Sequence, residues 1–429
     1  MSDQSISAEK QLQSKNAAVW SQKDTGWMFS HVGTGIGAGL LYLPISAGGG
    51  GIWPLLLMFL VSAPMVFLTH RGLTRFCLSA SRPDSDINQT VHEHFGRRAA
   101  SLLMVICFFS MFPVLLLYTI GITNVSISYV SNQLNWAEPS RPLITFLLVS
   151  AMVAMFCGNE KRLLRLITGL VFPLAVILLG ISIYLIPRWQ IAFILQPVSV
   201  EHCLETFILA LPVLVFSFYH APVCSAFARS YLSDYQEIHT CIAKTDRIHF
   251  VSSMLLLSVT LFFVLSCVMT MTPTQLQLAR QDNLPILSVL ANQTNNTFFS
   301  TLAPLIAFTA ILTSFYGFFL GVVEVMNGLL SQGLRKFRPG HVYSASHVRR
   351  ISLMGLAVSC WIAGVGDWSV LAMMEAVVAP MMAVVLFFLP VMAVYRIDCL
   401  KRYRRRKADA FVVVVGLIVV TGFLWSLIL

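Results

Sequence analysis

The sequence predicts an all-α protein that crosses a membrane many times, and three observations support this prediction. Apolar residues make up 57% of the 429 residues and charged residues only 11%, whereas soluble domains carry roughly 25% charged residues. The mean hydropathy is +0.76. Long runs such as Leu371–Tyr395 and Phe411–Leu429 contain at most one charged side chain, and runs of about 20 apolar residues match the hydrocarbon thickness of a bilayer.

Taken in chain order, the apolar runs predict about eleven transmembrane helices in a single membrane domain, residues 24–429. Residues 1–23 are polar and lack an apolar core, so we expect a flexible cytoplasmic tail and not a signal peptide. The predicted spans are Trp27–Ser46, Gly51–Thr69, Ala100–Val130, Pro142–Cys157, Leu166–Ile186, Thr206–Ala228, Phe250–Met271, Phe298–Leu330, Ile351–Val365, Ser369–Tyr395 and Ala410–Leu429.

The basic residues predict the orientation. Of the 29 Lys and Arg residues, all but three lie in the N-terminal tail and the even-numbered loops; the exceptions are Arg141, Arg188 and Arg280. By the positive-inside rule the N-terminus is cytoplasmic and the C-terminus lies outside. The same distribution explains the net charge of +10 without nucleic acid. The basic run Lys401–Lys407 is interpreted as a topology anchor, with binding to membrane lipid head groups as the alternative.

The first span contains an unusual glycine cluster. Gly33–Gly39 carries four glycines in seven residues, and each costs about 1 kcal/mol relative to Ala inside a helix. Broken backbone within a membrane is tolerated where it lines a cavity or is buried in protein. Close packing of helices through small residues is the alternative use of such a cluster, and the glycines alone leave both open.

The sixth span carries a second candidate break at Phe216–Pro222. Pro222 removes a backbone donor and clashes with the preceding turn of a helix. His220 is a polar residue at membrane depth, where such residues face a cavity or a partner. Paired interrupted spans at corresponding positions point to a substrate site near the midplane of a secondary transporter. We therefore expect a five-plus-five inverted repeat, residues 24–190 and 200–396, followed by one extra helix, residues 410–429.

Several strings resemble the bacterial hydroxy/aromatic amino acid permease family, in its serine/threonine permease branch. The matching strings are Gly33–Gly39 with Leu43–Ile45, Thr69–Phe76, Glu93–Gly96, Val215–Phe218 with His220 and Pro222, Leu290–Asn292, and Glu324 with Asn327–Gly328. The resemblance implies eleven spans, an inverted repeat and cation-coupled uptake of a neutral amino acid across a bacterial inner membrane, with a periplasmic C-terminus.

Two departures from the family pattern concern substrate and ion. In the serine/threonine branch Asn and Ser flank the histidine of the sixth span, whereas Tyr219 and Ala221 stand here. Loss of a hydrogen bond to a substrate hydroxyl can change discrimination strongly, which opens an aromatic or other neutral amino acid as the alternative substrate. Relatives carry Lys in place of Thr313, and here Thr313 and Ser314 form a hydroxyl pair. Such a pair facing the broken first span resembles a sodium site, with oxygen ligands suited to a hard cation. The alternative is that both hydroxyls bond back to carbonyls of their own helix.

These considerations give a set of candidate site residues. Backbone contacts to the substrate carboxylate are expected at Gly35, Ile36 and Gly37, with helix packing as the alternative. The full substrate set is Thr34, Gly35, Ile36, Gly37, Tyr118, Ser217, Tyr219 and His220. The cation set is Gly33, Ala310, Thr313 and Ser314. His220 and Glu375 are the candidates for a proton-linked group, so sodium and proton both stay open as coupling ion.

Other functional classes fit the sequence less well. The nine cysteines form no CxxC pair, so we expect neither a disulfide framework nor a metal beyond a possible sodium ion, and no cofactor. Without a GxSxG string or HExxH spacing, an enzyme is not expected. A channel would show a repeated pore lining. A nutrient sensor on a transporter fold remains an alternative, and the sequence leaves the oligomeric state open.

Overall fold

The computed structural model describes residues 19–157, 160–235, 237–294, 296–337 and 344–426. Most of the predicted N-terminal tail lies outside these ranges. Within them every regular element is helical and no strand occurs, which confirms the all-α prediction.

Sixteen α-helices, besides short 3-10 turns, occur among the described residues, and we number them in order. They are α1 Gln22–Gly35, α2 Ala38–Ala47, α3 Ile52–Leu78, α4 Ile87–Asn132, α5 Arg141–Cys157, α6 Glu160–Leu185, α7 Ile191–Leu195, α8 Val200–Ser217, α9 Ala221–Leu232, α10 Ile238–Thr270, α11 Pro273–Gln281, α12 Ile286–Asn292, α13 Thr297–Phe337, α14 Ala345–Gly366, α15 Val370–Arg396 and α16 Arg406–Ser426.

The helices have the length and composition of a membrane protein. Among the described residues, eight helical segments are long and apolar enough to cross a membrane, and α1 with α2 forms a ninth, bent by 50°. Large apolar side chains point outward, including Leu60, Leu195 and Met354 at 73%, 74% and 70% exposure. The chain is therefore a multi-pass membrane protein. Helices α5 and α16 lie at the positions of the predicted fourth and eleventh spans, and the total of eleven stays a prediction.

Local sequence explains where several helices begin and bend. Asp86 caps α4, and its side chain accepts a hydrogen bond from the Gln89 N–H at 2.7 Å, as an N-cap should. Gly96 adopts φ +84° and kinks α4, a conformation that glycine allows without a Cβ penalty. The loop after α10 contains two short helices, α11, which Thr272 caps, and α12. Two π-helical segments, Met374–Val378 and Val384–Phe388, interrupt α15.

The two interrupted spans lie inside the helix bundle, and the bundle has two ends that we name here. Helix α2 packs on α8, α4 packs on α13, and α10 packs on both α1 and α3. We call the end where α1 and α10 begin and α9 ends the base. The opposite end, where α2 ends and α11 and α12 lie, is the cap end.

Candidate functional site

The first break separates α1 from α2 at Ile36 and Gly37. The Ile36 N–H still donates to the Val32 carbonyl at 2.9 Å, so α1 is satisfied up to that residue. Gly37 is extended and precedes α2 without any side-chain cap. The first N–H groups of a helix have no intrahelical partner. The break therefore presents the uncapped start of α2 inside the bundle.

The second break separates α8 from α9 at Phe218, Tyr219 and His220. Pro222 lies in the first turn of α9, where its missing N–H costs no hydrogen bond. The two broken spans touch at their breaks. A Cβ added to Gly39 would lie 2.6 Å from the Ser217 Cα, so this crossing requires a glycine. The glycine cluster thus serves both uses that the sequence left open, a break and a close helix contact.

Gly37, Tyr118 and Ser314 meet at the first break. The Ser314 hydroxyl donates to the Ile36 carbonyl at 3.1 Å, which joins α13 to the broken first span. A Cβ on Gly37 would overlap the Ser314 side chain and lie 3.3 Å from the Tyr118 hydroxyl oxygen. Two hydroxyl groups therefore converge on the backbone at the start of α2.

Three other candidate hydroxyls bond to their own helices. Thr34 donates to the Ser30 carbonyl at 2.8 Å, and Ser217 donates to the Val213 carbonyl at 2.7 Å. Thr313 donates to the Ala310 carbonyl at 3.1 Å. These bonds use the hydroxyl protons, so each hydroxyl oxygen can still accept a hydrogen bond or bind a cation through a lone pair. The structure thus separates the predicted pair: Ser314 reaches the first span and Thr313 stays on α13.

Tyr219 belongs to an aromatic wall beside the break. Its ring lies 6.1 Å from that of Phe318, and the Tyr118 ring lies 5.7 Å from that of Phe318. Phe216 is 6.2 Å from Tyr118. All four side chains are buried. Tyr219, which stands where the serine/threonine branch has Asn, therefore adds aromatic surface next to the residues that meet at Gly37.

His220 lies on the base side of the second break, within a cluster of four buried histidines. Its backbone N–H donates to the Nε2 atom of His70 at 3.1 Å, and the two rings stack at 3.5 Å between centroids. His31 and His249 stack at 4.6 Å and lie 5.2 and 5.9 Å from the His220 ring. The sequence singled out only His220 as a site residue. Polar residues in apolar runs were the available signal for the other three.

Glu375 lies away from the breaks. Its carboxylate accepts a hydrogen bond from Arg280 of α11 at 3.0 Å, and the Glu375 side chain is 12% exposed against 48% for Arg280. Because α11 belongs to the cap end, the structure places Glu375 at that end of the bundle.

The base is closed by a buried ion pair. Lys244 Nζ lies 2.7 Å from an Asp24 carboxylate oxygen, with side-chain exposures of 3% and 1%, and Tyr231 donates to the same carboxylate at 2.5 Å. We call Asp24, Tyr231 and Lys244 the base seal. It ties the start of the first span to the end of the sixth and the start of the seventh.

The cap end is closed mainly by amide hydrogen bonds around Asn283. Its side-chain N–H groups donate to an Asp367 oxygen at 3.0 Å and to the Trp368 carbonyl at 2.9 Å, and its side-chain oxygen accepts from the Val370 N–H at 2.9 Å. The Asn283 carbonyl accepts from the Tyr42 hydroxyl at 3.2 Å. We call Asn283, Asp367, Val370 and Tyr42 the cap seal.

Comparisons with known proteins agree with this architecture. The family model described as "Tryptophan/tyrosine permease family" matches residues 26–349. The serine transporter SdaC of Escherichia coli K12 is 36% identical over 417 residues, 96% of each chain, and that of Shigella flexneri is 36% identical over the same length. A manganese transporter of Eremococcus coleocola superposes with a TM-score of 0.59 at 14% identity, over 94% of this chain and 85% of that one. A point mutant of that transporter gives the same TM-score at 13% identity. At such identities the structural similarity concerns the fold.

Proposed function

Because the chain belongs to the tryptophan/tyrosine permease family, we propose that it is a cation-coupled symporter that imports a small neutral amino acid, serine or threonine in kind, across a bacterial inner membrane. The similarity to serine transporters over 96% of the chain supports the substrate class. The observation that carries the proposal is the contact between two broken spans at their breaks, Gly39 against Ser217. Interrupted spans of this kind hold substrates and coupling ions in secondary transporters.

The substrate carboxylate is assigned to the first break. Uncapped N–H groups and the positive end of the helix dipole favour an anion at a helix start, and α2 has such a start beside Gly37. Gly35 and Ile36 contribute the adjoining backbone. Tyr118, Tyr219 and Phe318 enclose the substrate side chain, while Thr34, Ser217 and His220 complete the predicted set.

The coupling cation is assigned to the contact between α13 and the first span. The Ser314 hydroxyl already touches the Ile36 carbonyl, and the carbonyls at Gly33 and Ala310 with the Thr313 hydroxyl supply further oxygen ligands. Oxygen ligands suit a hard cation, which supports sodium. A proton carried by His220 or Glu375 is the competing mechanism.

Alternating access then requires the two seals to open in turn. We assign the base to the cytoplasm, because the basic loops of the sequence fall on that side by the positive-inside rule, and the cap end to the periplasm. The outward-facing apolar side chains lie against membrane lipid.

The test is uptake of labelled serine, threonine, cysteine and tryptophan into proteoliposomes, under a sodium gradient and separately under a proton gradient. We expect sodium-driven uptake of serine or threonine. Ser314→Ala should raise the sodium concentration for half-maximal uptake at least about tenfold, a loss of about 1.4 kcal/mol.

Thr309→Ala is the matched control, because Thr309 is a half-buried residue of the same helix whose hydroxyl donates to its own Leu305 carbonyl at 2.8 Å. It should leave uptake unchanged. Proton-driven uptake that is indifferent to Ser314→Ala would reject the sodium site. Preference for tryptophan would replace the substrate assignment, and binding without uptake would indicate a sensor.

A further inference from the structure

The structure assigns a second binding site to the histidine cluster: we propose that His31, His220 and His249 bind one divalent transition-metal ion of the zinc class. All three residues are fully buried, at 0% exposure. One ring nitrogen from each lies within 4.8 Å of the other two. His31 Nε2, His220 Nε2 and His249 Nδ1 have no hydrogen-bond partner among the described residues.

The opposite nitrogen of each ring is held in place by a protein group. His220 Nδ1 donates to the Phe218 carbonyl at 2.9 Å, so its Nε2 carries the lone pair. His31 Nδ1 lies 3.3 Å from the Ser252 hydroxyl oxygen. Because that hydroxyl donates its proton to the Ile248 carbonyl at 2.8 Å, His31 is the donor, and its Nε2 also carries a lone pair.

His249 completes the set through Thr74. Its Nε2 lies 2.7 Å from the Thr74 hydroxyl oxygen. The Thr74 hydroxyl can donate or accept here, and the proposal requires the tautomer in which His249 Nε2–H donates to Thr74, so that Nδ1 carries a lone pair. Metal-binding histidines typically donate their second N–H to a carbonyl or another polar group in this way.

With His249 in that tautomer, the cluster holds three lone pairs that a cation can satisfy together. A buried water molecule has two hydrogens, so it can satisfy two acceptors and leaves the third facing its own oxygen. An unpaired buried polar atom costs about 1–3 kcal/mol, and three in one place are unusual in a folded protein. A single metal ion accepts all three lone pairs at once.

The donor set favours the zinc class over magnesium or calcium. Neutral imidazole suits zinc, copper, iron and nickel, whereas magnesium and calcium take oxygen ligands. Zinc binds histidine nitrogen at roughly 2.0–2.1 Å and accepts three protein ligands with a fourth open position. To reach that geometry the three nitrogens would draw together from separations of up to 4.8 Å to roughly 3.4 Å. The parallel rings of His31 and His249 would also rotate so that both lone pairs point at the ion.

The position of the site gives it a consequence. His31 lies on α1, His220 at the start of α9 and His249 on α10, so a bound ion would link halves of both broken spans to the seventh span. The link lies directly behind the base seal, since Phe227 is 4.6 Å from the His31 ring and packs against Tyr231 at 5.2 Å. Metal binding would therefore hold the base closed.

The test is equilibrium dialysis of the purified, tag-free full chain against Zn²⁺ and Co²⁺, with Mg²⁺ as the reference cation. We expect one equivalent of Zn²⁺ or Co²⁺ and none of Mg²⁺. His31→Gln, His220→Gln and His249→Gln should each weaken binding at least about tenfold. His202→Gln is the matched control, because His202 has a side chain exposed by 54%, and it should keep the full equivalent.

A second measurement on the unaltered chain guards against variants that fail to fold. A ligand that binds only the folded state stabilises it by RT ln(1 + [L]/Kd), so Zn²⁺ at 100 times its Kd should raise the unfolding temperature while Mg²⁺ should not. No binding by the unaltered chain would overturn the proposal. Equal binding by the unaltered chain and all three cluster variants would overturn it as well. Neither readout depends on the transported substrate.

Discussion

The base seal and the cap seal close the two ends of the bundle with different chemistry. The base seal buries a full ion pair, with Asp24 and Lys244 exposed by 1% and 3%. At the cap end the uncharged Asn283 side chain makes three hydrogen bonds, one of them to the Asp367 carboxylate. Asp367 also pairs with Arg141, at side-chain exposures of 39% and 25%. Separating buried charges is costly unless both are rehydrated together. The comparison implies that removing one charged partner from the base seal lowers the stability of the protein strongly. Removing one hydrogen bond from the cap seal should lower it less.

The largest expected effect follows from Lys244→Met. The substitution leaves the Asp24 carboxylate buried without its counter-charge, and removal of one partner from a buried pair costs about 3–5 kcal/mol. The loss should appear as a lower free energy of unfolding of the purified protein in detergent.

Lys23→Met is the matched control for that prediction. Lys23 pairs with Asp234 at 2.6 Å on the same end of the bundle, but the two side chains are 37% and 43% exposed. Exposed pairs contribute about 0–1 kcal/mol. Similar losses in both variants would show that burial does not distinguish the base seal.

The next effect concerns the contact between the two halves, at the crossing of the broken spans. Gly39→Ala would place a Cβ 2.6 Å from the Ser217 Cα, a backbone atom that cannot rotate away. Overpacking of this kind costs about 1–3 kcal/mol. We expect a lower unfolding temperature and loss of uptake in proteoliposomes.

Gly26→Ala provides the control on the same broken span, since nothing lies within 4 Å of its added Cβ. Alanine is favoured over glycine inside a helix by about 1 kcal/mol, so Gly26→Ala should be neutral or stabilising. If Gly39→Ala behaves like Gly26→Ala, the crossing is looser than the structure shows.

The lengths of the apolar runs predicted the helices of this fold but not how the helices pack against one another. Apolar run length predicted where the spans lie, and Gly33–Gly39 and Pro222 predicted two breaks that the structure places at Ile36–Gly37 and Phe218–His220. The two π-helical segments of α15 were not predicted, because a single extra residue per turn leaves no periodicity signal in an all-apolar run.

The seals and the histidine cluster could not be predicted in the same way. Asp24 and Lys244 are separated by 220 positions in the sequence, and each alone looks like a charged residue near a span end. His31, His70 and His249 lie on three different helices, so their convergence depends on helix packing that cannot be read from the sequence. The contact of Ser314 with the first span was anticipated only through the resemblance to a transporter family.

The last effect, expected at the cap seal from Asn283→Gly, is smaller than that of Lys244→Met. Asn283 has φ +55°, a region that glycine adopts freely, so this substitution removes the side-chain hydrogen bonds without adding backbone strain. The Val370 N–H loses its acceptor, and a buried donor without a partner costs about 1–3 kcal/mol. Asn292→Ala is the control at the same end, because the Asn292 side chain is exposed and its bonds to the Ser128 hydroxyl at 3.2 Å and the Gln133 amide at 2.7 Å should be worth little. A loss from Asn283→Gly as large as that from Lys244→Met would overturn the comparison, since the hydrogen bonds of one uncharged side chain would then stabilise the closed bundle as strongly as the buried ion pair.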